Sequence, residues 1–266
     1  MALTLPSSLS PSKLTAFKEC ALAFRFSAID KLPEPTSPHA LQGTLVHRAL
    51  ERLFWHHAPG NRAPETAFAE LDAAWDELRV DSELEDLGLG DGKRADFLEQ
   101  ARGSVRNLYA LEDPDTIVVA GVELLLDANL DGVRFRGIID RLDVTGDDLV
   151  VVDYKTGRVP AQGHEQSRLT GVNFYALLLE VLLGRAPSKV QLFYLREPVI
   201  VESEPSKQSL RAFRQRAAAV WSAIEHACET EDFRPRPSGL CPFCSFREYC
   251  PAVGGDLGLV TGAAAR

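Results

Sequence analysis

GIIDRLDVTGDDLVVVDYKTG, residues 137–157, contains two runs rich in branched aliphatic residues on either side of TGDD. Gly146 can take positive φ, so the spacing predicts a tight β-hairpin. Centring the turn between Gly146 and Asp147 places Val144 opposite Leu149, Leu142 opposite Val151 and Asp140 opposite Asp153. Directly opposed residues have Cβ atoms about 4.5–5.5 Å apart. The shared face otherwise carries Ile138, Leu142, Val144, Leu149 and Val151, so it is expected to be buried. Two carboxylates side by side on such a face are costly unless one is protonated or a cation lies between them. Lys155 falls two residues beyond Asp153 on the same face. Paired oxygens suit Mg2+ or Mn2+, and an adjacent lysine can orient or help deprotonate a water and stabilise developing phosphate charge. The plainer alternative is an ordinary Asp153–Lys155 ion pair, with Asp140 reaching solvent.

A helix expected over about 42–57 adds a third group. Gly43, Val46, His47, Leu50 and Phe54 follow helical spacing on one face, which turns His47 inward, with Gly43 clearing space one turn away. A lone histidine there is an ordinary core residue; beside the carboxylate hairpin it becomes a candidate metal ligand. His56 and His57 carry no comparable pattern.

Other elements extend from this centre. Ser10-Pro11 signals a helix start, and the helix is expected to run through KLTAFKECALAFRF, carrying Cys20. Helical stretches are expected at about 64–79 and 93–112, with the acidic, Gly-rich loop VDSELEDLGLGDG between them. Strands are expected at TIVVAGVELLL, VRFRGIIDRLDV and LVVVDYK. A helix at about 168–184 follows, then strands KVQLFYL and PVIVES and a long helix over about 207–230. The short turns between the central strands exclude parallel crossovers there, and the order implies an α/β core with a mixed sheet. DANLDG at 127–132 begins like a calcium loop, but its twelfth position is Ile138 rather than Glu; it reads as a turn between strands.

The 266 residues carry a net charge of −9, with 45% hydrophobic and 25% charged residues, an ordinary globular composition. The acidic balance at first argues against a nucleic-acid partner. However, residues 64–99 alone carry −9 and hold no candidate site residue. That segment is expected to lie away from any phosphate track, for which the basic stretches near 11–62 and 185–216 are candidates. No secretory signal or membrane-length apolar run is seen, so a cytoplasmic protein with no membrane partner is expected. No G-x-x-x-x-G-K-[ST] motif occurs, so helicase action would need a partner protein.

Cys241, Cys244 and Cys250 form C-x2-C-x5-C. Three thiols so close exceed a redox pair, and a zinc ion or an iron–sulfur cluster would each want a fourth ligand. Cys20 and Cys228 are both candidates.

Together, GTLVHRALE at 43–51, GIIDRLD at 137–143 and DYKTG at 153–157 resemble the RecB-like branch of the PD-(D/E)XK nucleases. The cysteine layout resembles its iron–sulfur members, such as the AddB nuclease domain and the CRISPR adaptation nucleases. The resemblance spans about residues 8–251. It implies one restriction-endonuclease-like domain over 1–266, with a central mixed sheet flanked by helices. The parts are a helical region at 8–112, a catalytic α/β core at 116–203, a helix and cysteine clasp at 206–251 and a flexible tail at 252–266.

The resemblance also assigns roles. His47, Asp140, Asp153 and the carbonyl of Tyr154 would bind Mg2+ or Mn2+, and Lys155 would act on the attacking water. Cys20, Cys241, Cys244 and Cys250 would hold a 4Fe–4S cluster, with zinc as the lesser alternative and Cys228 unassigned. Tyr175 would contact DNA, although the family's glutamine one turn earlier is Gly171 here, and Gln166 lies too far upstream to replace it. Glu123 in GVELLL reads as structural or supporting. The implied activity is a single-strand-preferring DNA exonuclease in repair or recombination. The competing readings are a noncatalytic nucleic-acid-binding module of the same fold and a zinc-stabilised protein unrelated to DNA.

Overall fold

The computed structural model describes residues 3–79, 90–159 and 165–260, the side chains of 91 and 165–170 excepted. Most of the expected acidic loop at 80–92, the Gln166 side chain and the last six residues of the expected tail lie outside this set. The helices are α1 (Pro11–Glu19), α2 (Ala21–Phe24), α3 (Pro38–His56), α4 (Pro64–Leu78), α5 (Asp91–Leu111), α6 (Glu165–Leu183) and α7 (Lys207–Thr230). The strands are β1 (Val119–Leu130), β2 (Val133–Thr145), β3 (Asp148–Lys155), β4 (Lys189–Tyr194) and β5 (Val199–Ser203). They form one mixed sheet in the order β1-β2-β3-β4-β5. β3 pairs parallel with β4 through the long connection that contains α6, while β2–β3 and β4–β5 are antiparallel.

The predicted hairpin register is present. Val144 pairs with Leu149, Leu142 with Val151 and Arg141 with Val152, around a two-residue turn in which Gly146 has φ +61°. β1 and β2 meet at Asp131-Gly132, both with positive φ, as a type I′ turn requires. Asn129 Oδ1 accepts from Gly132 N at 3.1 Å. DANLDG is therefore a hairpin turn.

The chain forms two compact units. One comprises Thr36–Leu126 and Ile138–Ser206. In it α3 buries Leu45, Val46, Leu50, Leu53 and Phe54 in a core shared with α4, α5, Val152, Tyr154 and Phe193. Each such side chain contributes about 1.5–3 kcal/mol on full burial. The other unit comprises Met1–Pro35, Asp127–Gly137 and Lys207–Arg266.

Two expectations need correction. The first helix is not continuous. It is capped by the Ser10 side chain as predicted, but Cys20 is extended (φ −159°, ψ 108°) and separates α1 from α2. Its sulfur instead accepts from Arg236 N at 3.4 Å. The hairpin face is also not buried throughout, because Ile138 is 47% exposed. The sheet face opens to solvent towards Asp140.

Arg141 is the most deeply buried charge, at 1% exposure. It donates to both Glu112 oxygens at 2.5 and 2.7 Å, to Asp143 at 2.9 Å and to the Tyr154 hydroxyl at 2.8 Å. Its guanidinium also lies over the Phe54 ring, 4.3 Å from the centroid. Arg141→Met would leave two buried carboxylates without their cation and is expected to cost about 3–5 kcal/mol. Denaturant midpoints check this, and adding Glu112→Gln and Asp143→Asn should recover part of the loss.

Candidate active site

The β2–β3 ladder ends at Arg141↔Val152, one step short of Asp140 and Asp153. Asp140 Oδ2 there accepts from Tyr154 N at 2.6 Å. Its other oxygen lies 3.6 Å from His47 Nδ1. The histidine is half-buried, as its helical position predicted, and its ring meets Tyr154 edge-on with centroids 6.0 Å apart. Gly43 serves a different neighbour from the one expected: a Cβ there would meet Thr156 Oγ1 at 3.1 Å, so the glycine lets α3 approach the end of β3.

His47, Asp140 and Glu123 each offer a ligand atom within 4.8 Å of the others, the one such trio among the described residues. Sequence reasoning had placed Glu123 in a supporting role and Asp153 among the ligands. Glu123 is drawn in by its backbone: it has φ +47° within β1, a left-handed conformation rare for such a residue and frequent at functional sites. That conformation left no signal in GVELLL.

Asp153 is buried at 5% exposure and forms an ion pair with Lys155. That pair is made through its Oδ2. Tyr175 on α6 senses the same charges. Burial, then Asp153, Asp140 and Glu123, push its phenol well above the ordinary range. No described atom comes within 4 Å of a Cβ placed on Gly171.

The electrostatics favour either a proton or a cation among these carboxylates. Burial and the nearby Asp140 push Glu123 up to about 7. Burial raises Asp153 as well, opposed by Lys155 and reinforced by Asp140. Burial alone would lower His47, but Asp140, with Asp153 and Glu123 behind it, outweighs burial and raises it. Lys155 is likewise raised, because Asp153 outweighs its desolvation. Hard oxygens with one imidazole fit a divalent ion such as Mg2+ or Mn2+, and such an ion would relieve the mutual repulsion.

The cysteines gather in the other unit. Cys20, Cys241, Cys244 and Cys250 line one cavity of about 430 Å³. Cys228 is buried in α7 and is not among its lining residues. Ser238 N donates to Cys241 Sγ at 3.2 Å, in addition to the Arg236–Cys20 contact. Phe26 packs on Phe246 and Tyr249 at 5.6 and 5.8 Å between centroids. Gly255 lies against this turn so closely that a Cβ would fall 2.4 Å from Arg247 O.

The sequence pattern of the PD-(D/E)XK nuclease superfamily matches residues 8–251. The chain belongs to this superfamily. The mixed sheet flanked by helices is its fold. The chain is similar to the Gene 69 protein of Mycobacterium phage D29, at 21% identity over 91% of this chain and 96% of that protein. The Gene 69 protein of Mycobacterium phage L5 is 28% identical over 133 residues, 49% of this chain and 44% of that protein. This match thus spans less than half the length of the L5 relative. A crystal structure of an Eubacterium rectale protein, provisionally named an exonuclease, aligns over 90% of this chain and 87% of that one, with TM-score 0.51 and 11% identity; the two share a fold.

Glu123→Gln is expected to lower Mn2+ affinity by about tenfold or more, measured by titration calorimetry. Mn2+ at 100 times its Kd should stabilise the wild type by about 2.7 kcal/mol. An unchanged affinity in Glu123→Gln would remove this residue from the metal centre.

Proposed function

We propose that this PD-(D/E)XK superfamily member is a metal-dependent, single-strand-preferring deoxyribonuclease of the RecB type. In this reading it removes nucleotides from DNA ends during repair or recombination. The observation that carries the reading is the convergence of His47, Glu123 and Asp140 beside the Asp153–Lys155 pair. With no nucleotide-hydrolysis motif in the chain, duplex opening falls to a helicase or repair partner.

His47, Asp140 and Glu123, with Asp153 and the Tyr154 carbonyl, would hold Mg2+ or Mn2+. When bound, the ion polarises the scissile phosphate and lowers the pKa of a coordinated water. The chain's own groups do the rest. Lys155, held as an ammonium by Asp153, donates to and orients the water and balances charge on the phosphate. The Tyr154 N–H fixes the Asp140 carboxylate. Tyr175, half-buried on α6 and in the field of the carboxylates, shapes the entry for the strand. Wild-type protein is expected to release nucleotides from end-labelled single-stranded DNA faster than from duplex, and only with Mg2+ or Mn2+. Asp153→Ala and Lys155→Ala should each lose about 100-fold or more. Undiminished cleavage by either variant overturns the mechanism.

The four-cysteine cavity supports a 4Fe–4S cluster as the second cofactor. A tetrahedral zinc thiolate site has sulfurs about 3.8 Å apart, given Zn–S bonds of about 2.3 Å. Here no three of the described cysteine sulfurs lie within 4.8 Å of one another. The N–H···S contacts to Cys20 and Cys241 are of the kind that tune such clusters. Anaerobically purified protein should be brown, with about four irons per chain; Cys241→Ser should lose the colour and Cys228→Ser keep it. Colourless protein with stoichiometric zinc would replace the cluster by zinc.

A further inference from the structure

Two adjoining cavities of about 300 and 530 Å³ share Gln42, Thr156 and Arg196. Asn107 lines one of them, and His39 and Arg158 line the other. Among the described residues no carboxylate lines either cavity, although the chain as a whole carries −9. Arg158 and Arg196 are both exposed, and among the described residues neither has an ion-pair partner. Elsewhere in the same unit Arg48, Arg52, Arg79, Arg102, Arg106 and Arg141 are each matched to a carboxylate. Of the described arginines in this unit that lack a carboxylate partner, Arg158 and Arg196 are the two that line one groove.

The start of α3 opens onto the same place. His39 and Ala40 lie in its first turn, which contains no acidic residue. The N-terminus of a 19-residue helix adds partial positive charge and favours anions. The groove also adjoins the metal centre through the chain. Thr156 directly follows Lys155, and Gln42 precedes His47 by five residues on α3, about 7.5 Å along the axis.

We propose that this groove, with Arg158 and Arg196 as its charged walls, binds backbone phosphates of the nucleic-acid strand next to the bond being cut. The inference rests on the nuclease reading and extends it by assigning the substrate's path. Guanidiniums bind phosphate oxygens in bidentate fashion, and the Thr156 hydroxyl adds a neutral donor beside them, while the Gln42 and Asn107 amides are held by Phe97 O and Leu195 O. Such contacts position the strand and carry no sequence information, so binding should be salt-dependent and indifferent to base order.

The test is fluorescence anisotropy of a labelled single-stranded DNA oligonucleotide, with Ca2+ in place of Mn2+, over a range of salt. It is run alongside steady-state cleavage in Mn2+. Arg158→Gln/Arg196→Gln is expected to bind about tenfold or more weakly. Its plot of log affinity against log salt should be shallower by about 1.4, from about 0.7 per phosphate contact on a single strand. KM should rise while kcat stays near wild type. Arg79→Gln, which removes one positive charge at the end of α4, should leave binding unchanged. If wild type binds and cleaves and the double variant matches it in affinity and salt slope, the groove assignment is overturned and the nuclease reading stands. If wild type neither binds nor cleaves, both fall together.

Discussion

The register of the β2–β3 hairpin is the constraint on which the rest depends. Side chains leave a strand alternately to opposite faces, so the residues of Asp140-Arg141 and Asp153-Tyr154-Lys155 are sorted by parity. Arg141 and Tyr154 meet in the interior, joined by the 2.8 Å bond from guanidinium to phenol. Asp153 and Lys155 leave on the other side as an ion pair. A slip of one residue would exchange the two sets: the catalytic carboxylate would enter the aromatic core, and the arginine would stand among the metal ligands. The buried Arg141 cluster therefore acts as a lock, since its guanidinium reaches the Tyr154 hydroxyl across the ladder in only one register.

That lock fixes a local conflict of charge. Glu123, Asp140 and Asp153 influence one another strongly enough that burial and repulsion raise Glu123 and Asp153. A folded protein retains like charges in this state where a cation resolves the conflict. The remaining cations of this unit are arranged accordingly. Arg48, Arg52, Arg79, Arg102 and Arg106 are neutralised in ion pairs of small energetic value, whereas Arg158 and Arg196 remain open beside the end of β3. An acidic chain can thus present an anion-binding path, because local potential rather than net charge decides contact with phosphate.

Much of this was legible in the sequence wherever it depended on period and turn chemistry. The hairpin register followed from TGDD, the inward direction of His47 from its spacing to Val46, Leu50 and Phe54, and the long helix Lys207–Thr230 from its flanks. What was not legible depended on backbone geometry or distant partners. The positive φ that swings Glu123 into the site has no residue signature, since neither glycine nor asparagine marks it. The break at Cys20 serves a contact to Arg236, more than two hundred positions away, while local propensity favours a continuous helix. The role of Arg141 was hidden because Glu112 lies 29 residues upstream. Ile138 looked like core because alternation gives the face but not where along the strand that face opens.

The path of the β1–β2 hairpin links the two units through the backbone. Glu123 lies just before the chain passes from one unit to the other after Leu126, and Asp140 lies just after it returns at Ile138. The intervening tip, Asp127–Gly137, belongs to the unit that holds the cysteines. There Leu9 N donates to Arg134 O at 2.8 Å and Leu9 O accepts from Arg136 N at 2.9 Å, so the N-terminal segment pins the tip by backbone bonds. Arg214 on α7 adds an ion pair to Asp131 at the turn. A long two-stranded ribbon is marginal by itself; with its tip held, its free end has fewer registers to sample.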